Sequence, residues 1–133
     1  MNREILFRGK RIDDGEWVEG QYAFLLNFRT EDGEPITHMI VDGTPFGQTV
    51  DLSTVGQWTG LTDKNGKRIF EGDVMEFDAY GFHYKGVVSF VDGNFYVMCN
   101  RPTASPLLVG AIKRHDAICV GNVHDNYELM EGA

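Results

Sequence analysis

Five Asp-Gly or Asn-Gly dipeptides punctuate the 133 residues: Asp14-Gly15, Asp32-Gly33, Asp42-Gly43, Asn65-Gly66 and Asp92-Gly93. Gly enters left-handed backbone without steric cost and Asn or Asp does so at low cost, which makes these pairs strong markers of tight chain reversals. Most stand between runs rich in β-branched and aromatic residues, the pattern of successive hairpins. The dipeptides therefore predict an all-β chain with antiparallel strands and at most one or two short helical turns. Sixteen glycines, about 12% against a usual share of about 7%, agree with many turns.

In order, the pattern predicts strands at residues 5–8 and 17–24, with Ile5 and Phe7 sharing one face and Val18, Tyr22 and Phe24 another. A polar turn at 30–35 leads to a strand at 36–41 and a glycine- and proline-bearing loop at 42–47. Residues 49–55 suit one helical turn capped by Asp51 or Ser53. Strands follow at 74–78 and 82–91, the second with Phe82, Tyr84, Val88 and Phe90 on one side and His83, Lys85 and Ser89 on the other. Asp92-Gly93 turns this strand into another at 94–100. Residues 101–106 read as a mobile, proline-bounded loop, and 107–115 fit either a short helix or an irregular strand. A strand at 117–123 and a turn or short helix at 125–130 complete the order.

The stretch 57–74, QWTGLTDKNGKRIFEGDV, divides this order in two. Asn65-Gly66 is expected as a two-residue type I′ turn and Gly72-Asp73 as a corner. A lobe at 1–56 precedes it, and 57–133 forms the second part of one compact unit. Glycines inside strands of the second part suggest bends that close a small, tightly curved antiparallel barrel.

The formal net charge of −8 is spread along the chain, which disfavours sequence-independent binding of nucleic acid. Local exceptions are Arg8, Lys10 and Arg11, and the group Lys64, Lys67 and Arg68 in the central hairpin. The N-terminal residues lack the apolar core of a signal peptide, and no window approaches the ~20 apolar residues of a membrane span. Cys99 and Cys119 lack a C-x-x-C spacing or paired histidines and read as small buried hydrophobes. A soluble, cytoplasmic protein without cofactor or metal is the resulting expectation.

Glu71 and Asp73 could act as paired carboxylates, but Glu-Gly-Asp reads better as a tight corner in which Asp caps backbone N–H groups. His124 beside Asp125, with Asn122 and Asn126 near, could serve as a base or ligand, yet sequence neighbours usually point apart. His38, His83 and His115 lack ligand-type spacing. Trp17, Trp58, Phe70, Tyr80, Phe82 and Tyr84 form an aromatic set, of which Trp17, Trp58 and Tyr80 border polar turns and are the best candidates for a binding surface. Phosphate-loop, dinucleotide and nucleophile-elbow patterns are absent.

Three blocks resemble the YopX family of phage and prophage proteins: REILFRGKRIDDGEWVEG at 3–20, TVGQWTGLTDKNGKRIFEGDV at 54–74 and VGNVHDNYEL at 120–129. Gly60, Asn65, Gly66, Gly72, Asp73, Gly121 and Asn122 are the structural positions of these blocks, while Trp58 and Tyr127 depart slightly from the common pattern. The resemblance implies a two-part β protein whose C-terminal part is an SH3-like barrel, and it supplies no reaction or ligand. The expected function is a non-catalytic accessory protein that binds a host or phage protein. Trp17, Trp58, Tyr80, Lys64, Lys67 and Arg68 are the candidate contacts. Alternatives are a small enzyme using Glu71, Asp73 or His124, and nucleic-acid binding through the 64–68 hairpin. Exposed sheet edges also allow a homo-oligomer.

Overall fold

Alternating apolar residues between glycine turns can bury one face only by pairing strands, and the chain does so twice. A computed structural model describes residues 4–26, 36–45 and 47–130. The chain divides into two units, Met1–Trp58 and Thr59–Ala133. Among the described residues no helix is long and apolar enough to cross a membrane.

In the first unit, β1 (Phe7–Lys10) pairs antiparallel with β2 (Trp17–Leu26), Phe7 opposite Gly20 and Lys10 opposite Trp17. β2 pairs with β3 (Ile36–Val41), and β3 with the two residues of β4 (Gln48–Thr49). The polar turn expected at 30–35 lies outside the described residues. Asp51 caps a single 3₁₀ turn, Leu52–Thr54, by accepting the N–H of Ser53. The other side of β1 meets the start of β5 (Gly56–Thr62), with Phe7 opposite Gln57. Leu6, Ile40 and Val50 are buried, and so is Arg8. The buried face of β1 is thus that of Leu6 and Arg8, while Ile5 on the opposite face is half exposed. Arg8 is tolerated inside because its guanidinium lies 4.5 Å from the centre of the Trp17 ring, whose electron-rich face receives the cation.

The second unit begins within β5. Thr59 donates its hydroxyl hydrogen to the Ile69 carbonyl at 2.8 Å, tying β5 to β6 (Arg68–Phe70). β7 (Asp73–Ala79), β8 (Phe82–Val91) and β9 (Asn94–Asn100) form a meander, joined by β10 (Thr103–Ala104) and β11 (Ile118–Asn122) in the order β10-β9-β8-β7-β11. The helix α1 (Leu108–His115) packs Leu108 and Ala111 into a core with Ile69, Met75, Phe77, Val88, Val97 and Cys99.

Two expectations change here. The strands do not close into a small barrel: β10 and β11 are the ends of an open order among the described residues. Gly86, inside β8, shows what such a glycine does instead, since a β-carbon there would stand 2.6 Å from the Met98 carbonyl oxygen. The glycine admits a close neighbouring strand rather than curling the sheet. Secondly, residues 101–106 are held by β10, by the Val97 N–H donating to the Pro106 carbonyl, and by a bridge between Tyr96 and Leu107.

The helical alternative holds for 108–115. Its N-cap, Leu107, makes no side-chain capping bond, and Gly110 interrupts it, so the usual start signals are missing. It ends on Asp116, left-handed at φ 52°, whose N–H donates to the Ala111 and Ile112 carbonyls. Lys113, Arg114 and His115 crowd its last turn, where the helix dipole favours positive charge.

Candidate cleft of the second unit

The β7–β8 hairpin turns on Tyr80-Gly81, both left-handed at φ 53° and 82°. Both signs match a type I′ turn, which prefers Asn or Gly at its first central position. A tyrosine there is uncommon, and the residue is 84% exposed. The ring stands edge-on to His115 with centroids 5.6 Å apart. His115 lies two helical turns beyond Leu108, on the same inward face as Ala111 and Ile112, and stacks on Phe77 at 5.7 Å. Phe77 in turn stacks on Tyr84 at 5.1 Å, and Tyr84 meets the exposed Phe82 at 6.5 Å. Five rings therefore form one contiguous wall.

Four of these rings, Phe77, Tyr80, Tyr84 and His115, border an open cleft of about 540 Å³, within the usual range of ligand pockets of about 300–1,000 Å³. Ala104, Ser105, Pro106 and Leu107 form the opposite margin, and Val109, Gly110 and Arg114 of α1 complete it. Leu107 and Val109 are partly exposed, so apolar surface is presented to solvent there. The arrangement offers ring faces, aliphatic side chains and one guanidinium. It suits binding through contact area with a charged handle.

Of the six binding candidates read from the sequence, Tyr80 alone lines this cleft. Trp17 is half-buried beneath Arg8, with Lys10 5.7 Å from its centre. Trp58 is half-buried in β5, its N–H donating to the Leu6 carbonyl. Lys64, Lys67 and Arg68 are exposed along the central hairpin. The carboxyl pair is a corner: Asp73 is 1% exposed and accepts the N–H of Phe70 at 2.8 Å, with Gly72 left-handed beside it. The His124 imidazole packs over Gly72, and Asn122 accepts the N–H groups of His124 and Asp125. Gly60 and Gly66 are left-handed, and Gly121 follows a bulge at Cys119 where Asn126 and Leu129 approach too closely for a side chain. None of Glu71, Asp73 and His124 lines the cleft.

The central hairpin is built differently from expectation. Asn65 does not take positive φ, whereas Gly66 does at 79°, and the Gly66 N–H donates to the Asp63 carbonyl. This is a three-residue loop, a turn followed by a left-handed glycine. Asp63 organises it: its carboxylate accepts the N–H groups of Asn65, Lys67 and Cys119 at 2.9, 3.0 and 3.1 Å. Burial pushes this carboxyl up, but the three donors and the Lys67 charge outweigh burial and hold it below the usual range. The signal for Asp63 was present as an Asx turn preceding Asn-Gly; its bond to Cys119 spans 56 residues and has no local signature.

Among the remaining polar groups, His83 bonds Asp78 at 2.7 Å, and that bond raises its proton affinity despite a small opposing desolvation, with the Asp78 and Glu76 charges adding to the rise. Tyr22 and His38 share a 2.7 Å bond. Both cysteines are free, and burial pushes the Cys99 thiol up. Among the described residues no group of three or more His, Cys, Asp or Glu is placed to hold a metal ion.

The family model described as YopX protein matches residues 6–131. The chain belongs to the YopX family. The crystal structure of protein EF1440 from Enterococcus faecalis is similar to this YopX chain in fold, with a TM-score of 0.59, 23% identity and coverage of 97% of this chain and 99% of that one. No curated protein matches this YopX member.

Proposed function

We propose that this YopX member is a non-catalytic phage or prophage accessory protein, acting in the bacterial cytoplasm by binding a protein partner through the cleft of its second unit. The observation that carries the reading is the exposed ring of Tyr80, kept at a turn position where Asn or Gly is better suited, in continuity with His115, Phe77 and Tyr84. Non-glycine residues in left-handed backbone cluster at functional sites. Exposed aromatics beside an arginine are the residue types that dominate protein interfaces. Residues Leu107 and Val109 extend the apolar margin.

Cross-linking in infected host cells, followed by purification and mass spectrometry, tests this. A specific protein should be recovered with the wild-type chain and lost with Tyr80→Asn, which removes the ring while suiting the backbone. Recovery undiminished by Tyr80→Asn and by Arg114→Glu overturns the role of the cleft. Recovery of nucleic acid that depends on Lys64, Lys67 and Arg68 would move function to the central hairpin and overturn the protein-binding reading.

A further inference from the structure

Resting on the proposed binding role of the cleft, we infer that its occupant is an extended acidic peptide segment of a protein partner, carrying an aromatic side chain close to a carboxylate. Charge is the first argument. The chain holds 20 acidic residues against 12 lysines and arginines, yet the cleft lining includes Arg114 and His115 and not one Asp or Glu. Lys113 and Arg114 bring two full positive charges to the last turn of α1, against the Asp116 carboxylate at its C-cap and roughly half a negative charge from the helix end. The net local sign is therefore positive on an otherwise acidic molecule, and the guanidinium fork matches a carboxylate.

The rings supply the second argument. Tyr80 meets His115 edge-on at 67°, while Phe77 stacks on Tyr84 at 11° and on His115 at 17°. Phe77 is buried among these rings, so an entering aromatic ring meets the exposed Tyr80 and the partly exposed rings of Tyr84 and His115, with which it can pair edge-on or offset-stacked.

The backbone supplies the third. β10 is the terminal strand of its sheet among the described residues, and Ala104 and the two residues after it line the cleft. A sheet edge accepts an added strand, and an added strand directs alternate side chains to one side. A short acidic segment also confines its negative charge to this basic place, whereas a nucleic-acid backbone would spread it over the acidic surface.

The test pans the full chain against a random ten-residue peptide library displayed on filamentous phage, then measures fluorescein-labelled copies of the enriched sequences by anisotropy. Enriched peptides should carry Phe, Tyr or Trp within two positions of Asp or Glu. Affinity should fall at least tenfold with Arg114→Glu, with Tyr80→Asn, and when the peptide's acids become amides, and should be unchanged with Lys64→Glu. Circular dichroism checks that the exposed-site variants remain folded. Aromatic peptides that need Tyr80 but carry no acid overturn this inference and leave the binding reading intact. Peptides indifferent to both cleft variants, or no enrichment, overturn both. Sedimentation showing a wild-type dimer that Tyr80→Asn dissolves assigns the cleft to a second copy and overturns the inference.

Discussion

Asp63 carries more of the central hairpin than the Asn-Gly pair that first marks it. A carboxylate that is 5% exposed and accepts three backbone N–H groups leaves several buried donors unmatched when it is altered. Asp63→Asn retains one acceptor oxygen but sets an amide donor among backbone donors. We expect a loss of about 1–3 kcal/mol in urea unfolding. The pH dependence follows from the lowered folded-state pKa. Stabilisation is complete above the ordinary aspartate value of about 3.9 and is lost as pH falls through the depressed folded value. The wild-type minus Asp63→Asn stability difference should therefore shrink as pH falls through that window; a difference that grows there contradicts the assignment. Legibility at this scale was mixed. Short polar residues that satisfy their own turn, such as Asp51 and Asp73, could be read locally, whereas the Asp63 to Cys119 bond and the Arg8 to Trp17 contact depend on strand pairing.

Among the elements, strands read best where β-branched and aromatic residues ran between turn signals. The expected 36–41, 82–91 and 94–100 coincide with β3, β8 and β9. The hairpin that builds the cleft was not marked, because Tyr80-Gly81 has no Asn or Asp at its first position. α1 stayed ambiguous for a related reason: it lacks a capping side chain, and its inward stripe ends in a histidine. Gly110 offers a direct check on that helix. A β-carbon there would meet open space, and its φ is not positive, so the residue incurs the backbone entropy of glycine without needing its freedom. Gly110→Ala is expected to stabilise the chain by about 0.5–1 kcal/mol in denaturant unfolding. A destabilised variant would show that the helix is constrained at Gly110 in a way its open surroundings do not reveal.

For the whole molecule, the acidic balance was readable from composition, but barrel closure was not. Closure is a property of which strands become neighbours at the ends of the order, and an in-strand glycine signals both a bend and a close approach. The cleft was equally hidden, since it joins residues from 77 to 115 whose proximity depends on β7, β8 and α1 together. Charge does make a global prediction. With a sequence pI near 4.8, repulsion between molecules vanishes there, and turbidity of the concentrated protein should be greatest near that pH and fall on either side. A solubility minimum more than a pH unit higher would show that carboxylates other than Asp63 are strongly perturbed.

The turn beneath Tyr80 has a consequence for how such a chain can diversify. Core residues such as Val88 or Leu108 cannot vary without repacking their neighbours, but the tip at Tyr80 is held by its backbone torsions and, through its ring, by His115 alone among the ring contacts described. A single codon change at this position can erase or replace the exposed ring while the strands on either side keep their register. On the proposed binding role, partner choice can then drift faster than architecture, and two relatives can share every strand and yet recognise different proteins.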